Sequence, residues 1–207
     1  MKSTDIPTVT RTTIAKFVVA LVFFLISISA VALANDWERS FSYPSIGSRF
    51  RSPETGFSIS FSKLPDGSGD DYNYKLSIFD DKGIAIVQHQ FMRQIKGEWS
   101  SSGSELYFND FLGSTQIDCF IWNQSSSSKS LDSLTDILLN DPNSGPKRGN
   151  GEKPPETPKN SRFELTCEGW ERNGNIRVSL TGDTWAGGHF DYRFVYSPSK
   201  HYFEWGN

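Results

Sequence analysis

The chain has 207 residues, of which 36% are hydrophobic, 14% aromatic and 22% charged, and its formal net charge is −3. That balance excludes a nucleic-acid binder, which needs a basic face. Two cysteines cannot close a tetrahedral zinc site, and His89, His189 and His201 lack metal-ligand spacing, so no metal or other cofactor is expected.

Residues 17–34, FVVALVFFLISISAVALA, carry no charge and follow Lys2, Arg11 and Lys16. A basic start, an apolar run and a small-residue end make a secretory signal. Ala32-Leu33-Ala34 fits the A-x-A cleavage pattern, so cleavage after Ala34 leaves Asn35 as the first mature residue. A run of this length also just reaches across a bilayer, which makes an uncleaved anchor the alternative. The segment before the run is net positive, whereas Asp36, Glu38 and Arg39 just after it are net negative, so either outcome is expected to place the rest outside the cytoplasm. The protein is expected to be secreted or periplasmic, with membrane contact only through residues 17–34 if they are retained. The organisation is then a signal peptide or anchor over 1–34 and a single exported β domain over 35–207. Without residues 1–34, 18 basic and 23 acidic residues remain, a net charge of −5.

Aromatic and β-branched residues interleaved with serine dominate residues 35–207, the composition of sheets. Phe57-Ser-Ile59-Ser-Phe61 alternates apolar and polar, as do Tyr72, Tyr74, Leu76 and Ile78. Asp80-Asp81-Lys82-Gly83 supplies a turn, and residues 84–87 begin the return strand. Further strands are predicted near residues 91–95, 106–108, 116–122, 163–167, 176–181, 190–196 and 202–205. Roughly ten short strands joined by Gly, Ser, Asp and Asn turns read as an antiparallel sandwich or distorted barrel. Leu131, Leu134 and Leu138 fall at helical spacing, with Ser130 available as N-cap and Pro142 after the end, which predicts one short amphipathic helix over 131–139. Residues 140–162 hold five of the ten prolines and almost no apolar side chain, so they are expected to form a mobile loop.

Cys119 and Cys167 both lie beyond the export segment, and an even count in an oxidising compartment predicts a disulfide between them. Chain-entropy arguments put such a bond at about 4 kcal/mol. The flanking sequences, Ile117-Asp-Cys119-Phe-Ile-Trp122 and Leu165-Thr-Cys167-Glu-Gly-Trp170, share one pattern. Period-two alternation points both cysteines at the apolar side and, at an odd offset, each tryptophan at the opposite face. Trp122 and Trp170 would then form a stacking surface for a sugar or protein. Alternatively, Gly169 kinks its strand and Trp170 tucks into a second core layer.

The tip Gly182-Asp-Thr-Trp185-Ala-Gly-Gly-His189 reads as a hairpin loop, and a tryptophan there serves as a partner anchor or a plug. Asp183, Trp185 and His189 are the binding candidates on it. Asp183 and His189, with Ser179 on the neighbouring strand, are also the nearest approach to a catalytic trio; no G-x-S-x-G or H-E-x-x-H motif occurs. Asp66-Gly-Ser-Gly-Asp70-Asp71 offers oxygen ligands but lacks the closing glutamate of a calcium loop. Asn123-Gln-Ser125 is a glycosylation sequon, and Lys147-Arg148 is a dibasic pair open to proteolysis. Gly97-Glu-Trp99 resembles the G-x-W of lipocalin-like barrels, although there it opens the barrel and here it falls mid-domain.

Together these features predict an exported, non-enzymatic binding or interaction domain of inhibitor, immunity or adhesion type. Its partner would be a protein or carbohydrate. The alternatives are a secreted hydrolase acting on an extracellular polymer and a lipocalin-like small-ligand carrier.

Overall fold

Period-two patterning makes strands of most of the chain, and the computed structural model describes residues 39–43, 49–65, 73–113, 116–125, 130–141, 143–144, 163–183 and 187–206. Among these, thirteen strands and one helix follow in order: β1 (Ser40–Ser42), β2 (Arg49–Arg51), β3 (Ser58–Lys63), β4 (Tyr74–Phe79), β5 (Ala85–Phe91), β6 (Ile95–Trp99) and β7 (Glu105–Phe111). Then come β8 (Ile117–Asn123), β9 (Asp132–Ser133), α1 (Leu134–Asn140), β10 (Phe163–Trp170), β11 (Ile176–Asp183), β12 (His189–Ser197) and β13 (Tyr202–Trp205). The export segment, the Asp66–Asp71 turn, Lys147-Arg148 and all but the start of the predicted loop lie outside the described residues.

The strands form a four-stranded sheet, β2-β3-β4-β5, and a nine-stranded sheet, β1-β6-β7-β8-β10-β11-β12-β13, with β9 beside β8. The two sheets pack as a sandwich. Every pairing is antiparallel except β8–β10, which meet in parallel at a single pair, Ile117 and Glu164. One core fills the space between the sheets, with Ile59, Leu76, Phe91, Trp99, Phe108 and Trp122 among its members. A second lies on the opposite face of β7 and β8, where Tyr107, Cys119 and Ile121 meet Leu134, Leu165, Val178 and Phe194. The β7–β8 hairpin therefore has apolar cover on both sides, which explains its nearly continuous burial. The outer strand β12 keeps its in–out alternation.

Three local expectations shift. The pattern predicts a strand over residues 91–95, yet β5 ends at Phe91 and Met92 to Gln94 make the turn into β6. The helix expected over 131–139 begins a turn later, because Asp132 and Ser133 pair with Ile121 and Phe120. Ser133, not Ser130, is its N-cap, accepting from the Asp136 N–H at 3.1 Å.

The predicted disulfide forms between Cys119 on β8 and Cys167 on β10, with Cα atoms 5.9 Å apart. Asn109, paired with Cys119 in the β7–β8 ladder, reaches the same spot. Its Nδ2 donates to the Cys167 carbonyl at 2.9 Å and its Oδ1 accepts the Cys167 N–H at 2.8 Å. A buried side-chain amide thus replaces the neighbouring strand where β10 has left β8. At the other end of the sandwich, Ser52 and Thr55 hydroxyls both donate to the Gly103 carbonyl, at 3.0 and 2.9 Å, clasping the β6–β7 turn to the β2–β3 turn. Gly97 is required by close approach: a Cβ there would overlap the Phe41 ring and the Tyr107 carbonyl.

Candidate functional site

The candidate tip is the end of the β11–β12 hairpin, where Asp183 and His189 close the ladder as its last pair. Asp183 Oδ1 and His189 Nδ1 are 3.2 Å apart, and both side chains are exposed, at 73% and 66%. Behind them the inner face of β12 carries Phe190, Tyr192 and Phe194 in sequence. Phe190 stacks on Tyr192 (centroids 5.7 Å apart, planes 20°), and Phe194 contacts Trp205 at 5.0 Å. Burial rises along this series, from half-buried Phe190 and Tyr192 to fully buried Phe194. The described part of the tip is thus a polar pair backed by stacked aromatic side chains. Trp185 lies outside the described residues.

Ser179 is buried and sits four residues along β11 from Asp183, about 13 Å at the rise of a strand. Asp183, His189 and Ser179 therefore do not converge. Among the described residues, no group of three or more His, Cys, Asp or Glu side chains is arranged to hold a metal ion.

The tryptophan face is covered. Trp122 does project away from Cys119, but that face meets the four-stranded sheet: Trp122 is 3% exposed and packs on Phe57 at 5.0 Å and Trp99 at 6.2 Å. Trp170 departs from the odd-offset rule. The register of β10 shifts between Cys167 and Gly169, with Gly169 at φ +145°, a conformation open to glycine. The bulge returns Trp170 to the side of Cys167, where it packs against the second core beside Tyr107. Its Nε1 donates to the Glu98 carbonyl at 3.2 Å. The two tryptophans therefore lie on different cores, and the kink at Gly169 is the alternative that holds.

A polar pair inside the sandwich belongs to no motif in the sequence. His89 Nε2 and Asp110 Oδ2 are 2.7 Å apart, joining β5 of one sheet to β7 of the other. Asp110 is wholly buried, and its Oδ1 has no hydrogen-bond partner among the described residues. The His89 ring lies 5.2 Å from Phe108 and 4.6 Å from Phe120. Parity carries the signal: Val87, His89 and Phe91 share the inward face of one strand, so His89 is a polar residue at a core position. The pair ties the two sheets together, and among the described residues no hydroxyl or thiol is bonded to the second ring nitrogen.

Asp118 lies at the start of the helix. Its Oδ2 accepts from the Ser133 hydroxyl at 2.7 Å, and its Oδ1 accepts from the Thr135 hydroxyl at 2.7 Å and N–H at 3.3 Å. Burial raises its pKa, opposed by the Ser133 and Thr135 hydrogen bonds. Burial likewise raises Glu105, whose Oε1 accepts from Asn123 Nδ2 at 2.6 Å. The sequon asparagine is therefore half-buried and engaged through the nitrogen a glycan would occupy.

No family model, curated protein or solved structure matches this chain.

Proposed function

We propose that the protein is an exported, non-enzymatic binding domain that meets a protein or carbohydrate partner with the tip of its β11–β12 hairpin. The observation that carries this reading is the tip itself: an exposed Asp183–His189 pair held on a stacked aromatic spine. Such a tip offers charge and hydrogen bonding to a partner from a support that loses little entropy on binding. The Cys119–Cys167 disulfide suits an oxidising, extracytoplasmic compartment. Among the described residues no helix is long and apolar enough to cross a membrane, so any helical tether falls to residues 17–34. Among the described residues the hydrolase alternative lacks converging acid, base and nucleophile at the tip, and the carrier alternative lacks a closed barrel, since both sheets end in edges.

The test is capture of a partner by the protein recovered from its own extracytoplasmic fraction, followed by variants against the identified partner. Trp185→Ala and the double change Asp183→Ala/His189→Ala should each weaken that binding at least tenfold, about 1.4 kcal/mol. Unchanged affinity in both would remove the hairpin reading. Turnover of an extracellular polymer abolished by His189→Ala would replace it with the hydrolase alternative.

A further inference from the structure

The linear order of each sheet leaves two ends, and three of the four are guarded. β1 is three residues long, and β2, also three, flanks Phe50 with Arg49 and Arg51. β13 has four residues including Glu204, and its Phe203 N–H already donates to the Ser144 carbonyl at 2.9 Å. β5 is different. It runs for seven residues, Ala85–Phe91, at the end of the four-stranded sheet. No described residue outside β4 hydrogen-bonds to its backbone. From Gly83 to Met92 no Asp, Glu, Lys or Arg occurs. Ile84, at its start, is 59% exposed. Edge strands normally avoid this combination, because an uncharged open edge pairs with another strand.

We infer that β5 is a pairing edge and that its partner is β5 of a second copy of this chain, in an antiparallel two-fold dimer. The choice of occupant rests on charge. Turning β5 antiparallel on itself about Val87 brings Gln88 and Gln90 alongside the partner's Ile84 and Ala85 and, beyond the ladder, brings Arg93 in the turn after β5 beside the partner's Asp80–Asp81 turn. Asp81 and Arg93 are both exposed and form no ion pair among the described residues, and two-fold symmetry makes the contact twice. The one-residue bulge at Ile86 moves Arg93 by a single position within the Asp80–Asp81 turn, which stays net negative despite Lys82. The same pairing covers Ile84, one of two exposed large hydrophobic side chains among the described residues. No like charges meet within the ladder, as they would on the Arg-bearing β2 edge.

Sedimentation velocity of the full chain, recovered as its host processes it, tests this over a concentration series. The wild type should reach a dimer. Asp81→Arg alone and Arg93→Asp alone should each raise the dissociation constant about tenfold, and the two together should restore it to within a few-fold. Ile84→Lys, an exposed position that leaves the fold intact, should also favour the monomer. A wild type that stays monomeric throughout, or a dimer indifferent to all three single changes, would overturn the proposal. So would slow exchange, in a monomer, of those β5 amides that point away from β4, because another segment would then cover the edge.

Discussion

Asn109 and the His89–Asp110 pair show single side chains standing in for secondary structure. Asn109 supplies both hydrogen bonds that Cys167 would draw from a neighbouring strand. Asn109→Ala orphans a buried N–H and a buried carbonyl, and should cost about 2–4 kcal/mol in urea unfolding; a loss below about 0.5 kcal/mol would mean that water replaces the amide. His89 offers the only hydrogen bond that the wholly buried Asp110 carboxylate makes among the described residues. His89→Leu should therefore cost about 3–5 kcal/mol, and adding Asp110→Leu should recover most of it, since the stranded carboxylate rather than the lost contact dominates. Equal losses in single and double variants would reject that account. For Asp118, burial first and then the charge of Asp136 hold the carboxyl above its ordinary 3.8, against the Ser133 and Thr135 hydrogen bonds. The folded state thus keeps this proton more tightly than the unfolded chain does. Its contribution is full below 3.8 and is lost as pH rises through the raised value. Asp118→Asn should gain stability relative to wild type as pH rises from acid to neutral, read from urea midpoints. Glu105, shifted the same way, leaves part of the wild-type slope in place.

At the scale of elements, the strands β10 to β13 hang together through long antiparallel ladders but join the rest of their sheet at one parallel pair. The disulfide, Asn109, the Trp170–Glu98 and Phe203–Ser144 hydrogen bonds and the second core add to that attachment. Replacing both cysteines with alanine should cost about 4 kcal/mol, and amide exchange should then accelerate in β10–β13 before it does in β2–β5. Uniform acceleration would show that the meander is not a separable unit. Alternation makes β12 and β13 legible from the sequence, because each keeps one wet face. The inward position of His89 is equally visible by parity. What stays hidden depends on partners distant in the chain. The helix start moves because Asp132 and Ser133 pair with β8, and Trp170 changes sides because Gly169 takes up a bulge. Nothing local marks residues 92–94 as a turn, since Met92, Arg93 and Gln94 include neither glycine nor proline.

For the molecule as a whole, sequence pattern leads to a mostly β fold and to the Cys119–Cys167 link, while the doubling of the core is not legible. Alternation shows that two faces differ, and cannot show that the second is covered too. That doubling also affects the alkaline limit. Burial raises Tyr107, with Glu98 adding to the shift and Arg177 opposing it; burial also raises Tyr196, helped by Asp132, Glu105 and Asp141. The unfolded chain ionises these phenols near 10.0, so the stability they contribute below that value is lost as pH rises beyond it. Phenolate absorbance during alkaline titration should show a late fraction that appears together with unfolding. If every tyrosine ionised reversibly before the fold was lost, the shifts would be absent.

A hairpin clothed on both sides also has a history different from that of its neighbours. Strands such as β12 can accept new residues at every second position while their inner faces stay fixed, so descent blurs them quickly. β7 and β8 have no such spare positions, and each change there must suit two cores at once. Drift should therefore spare the block from Leu106 to Trp122 longest, and a distant cousin of this chain would be recognised there first.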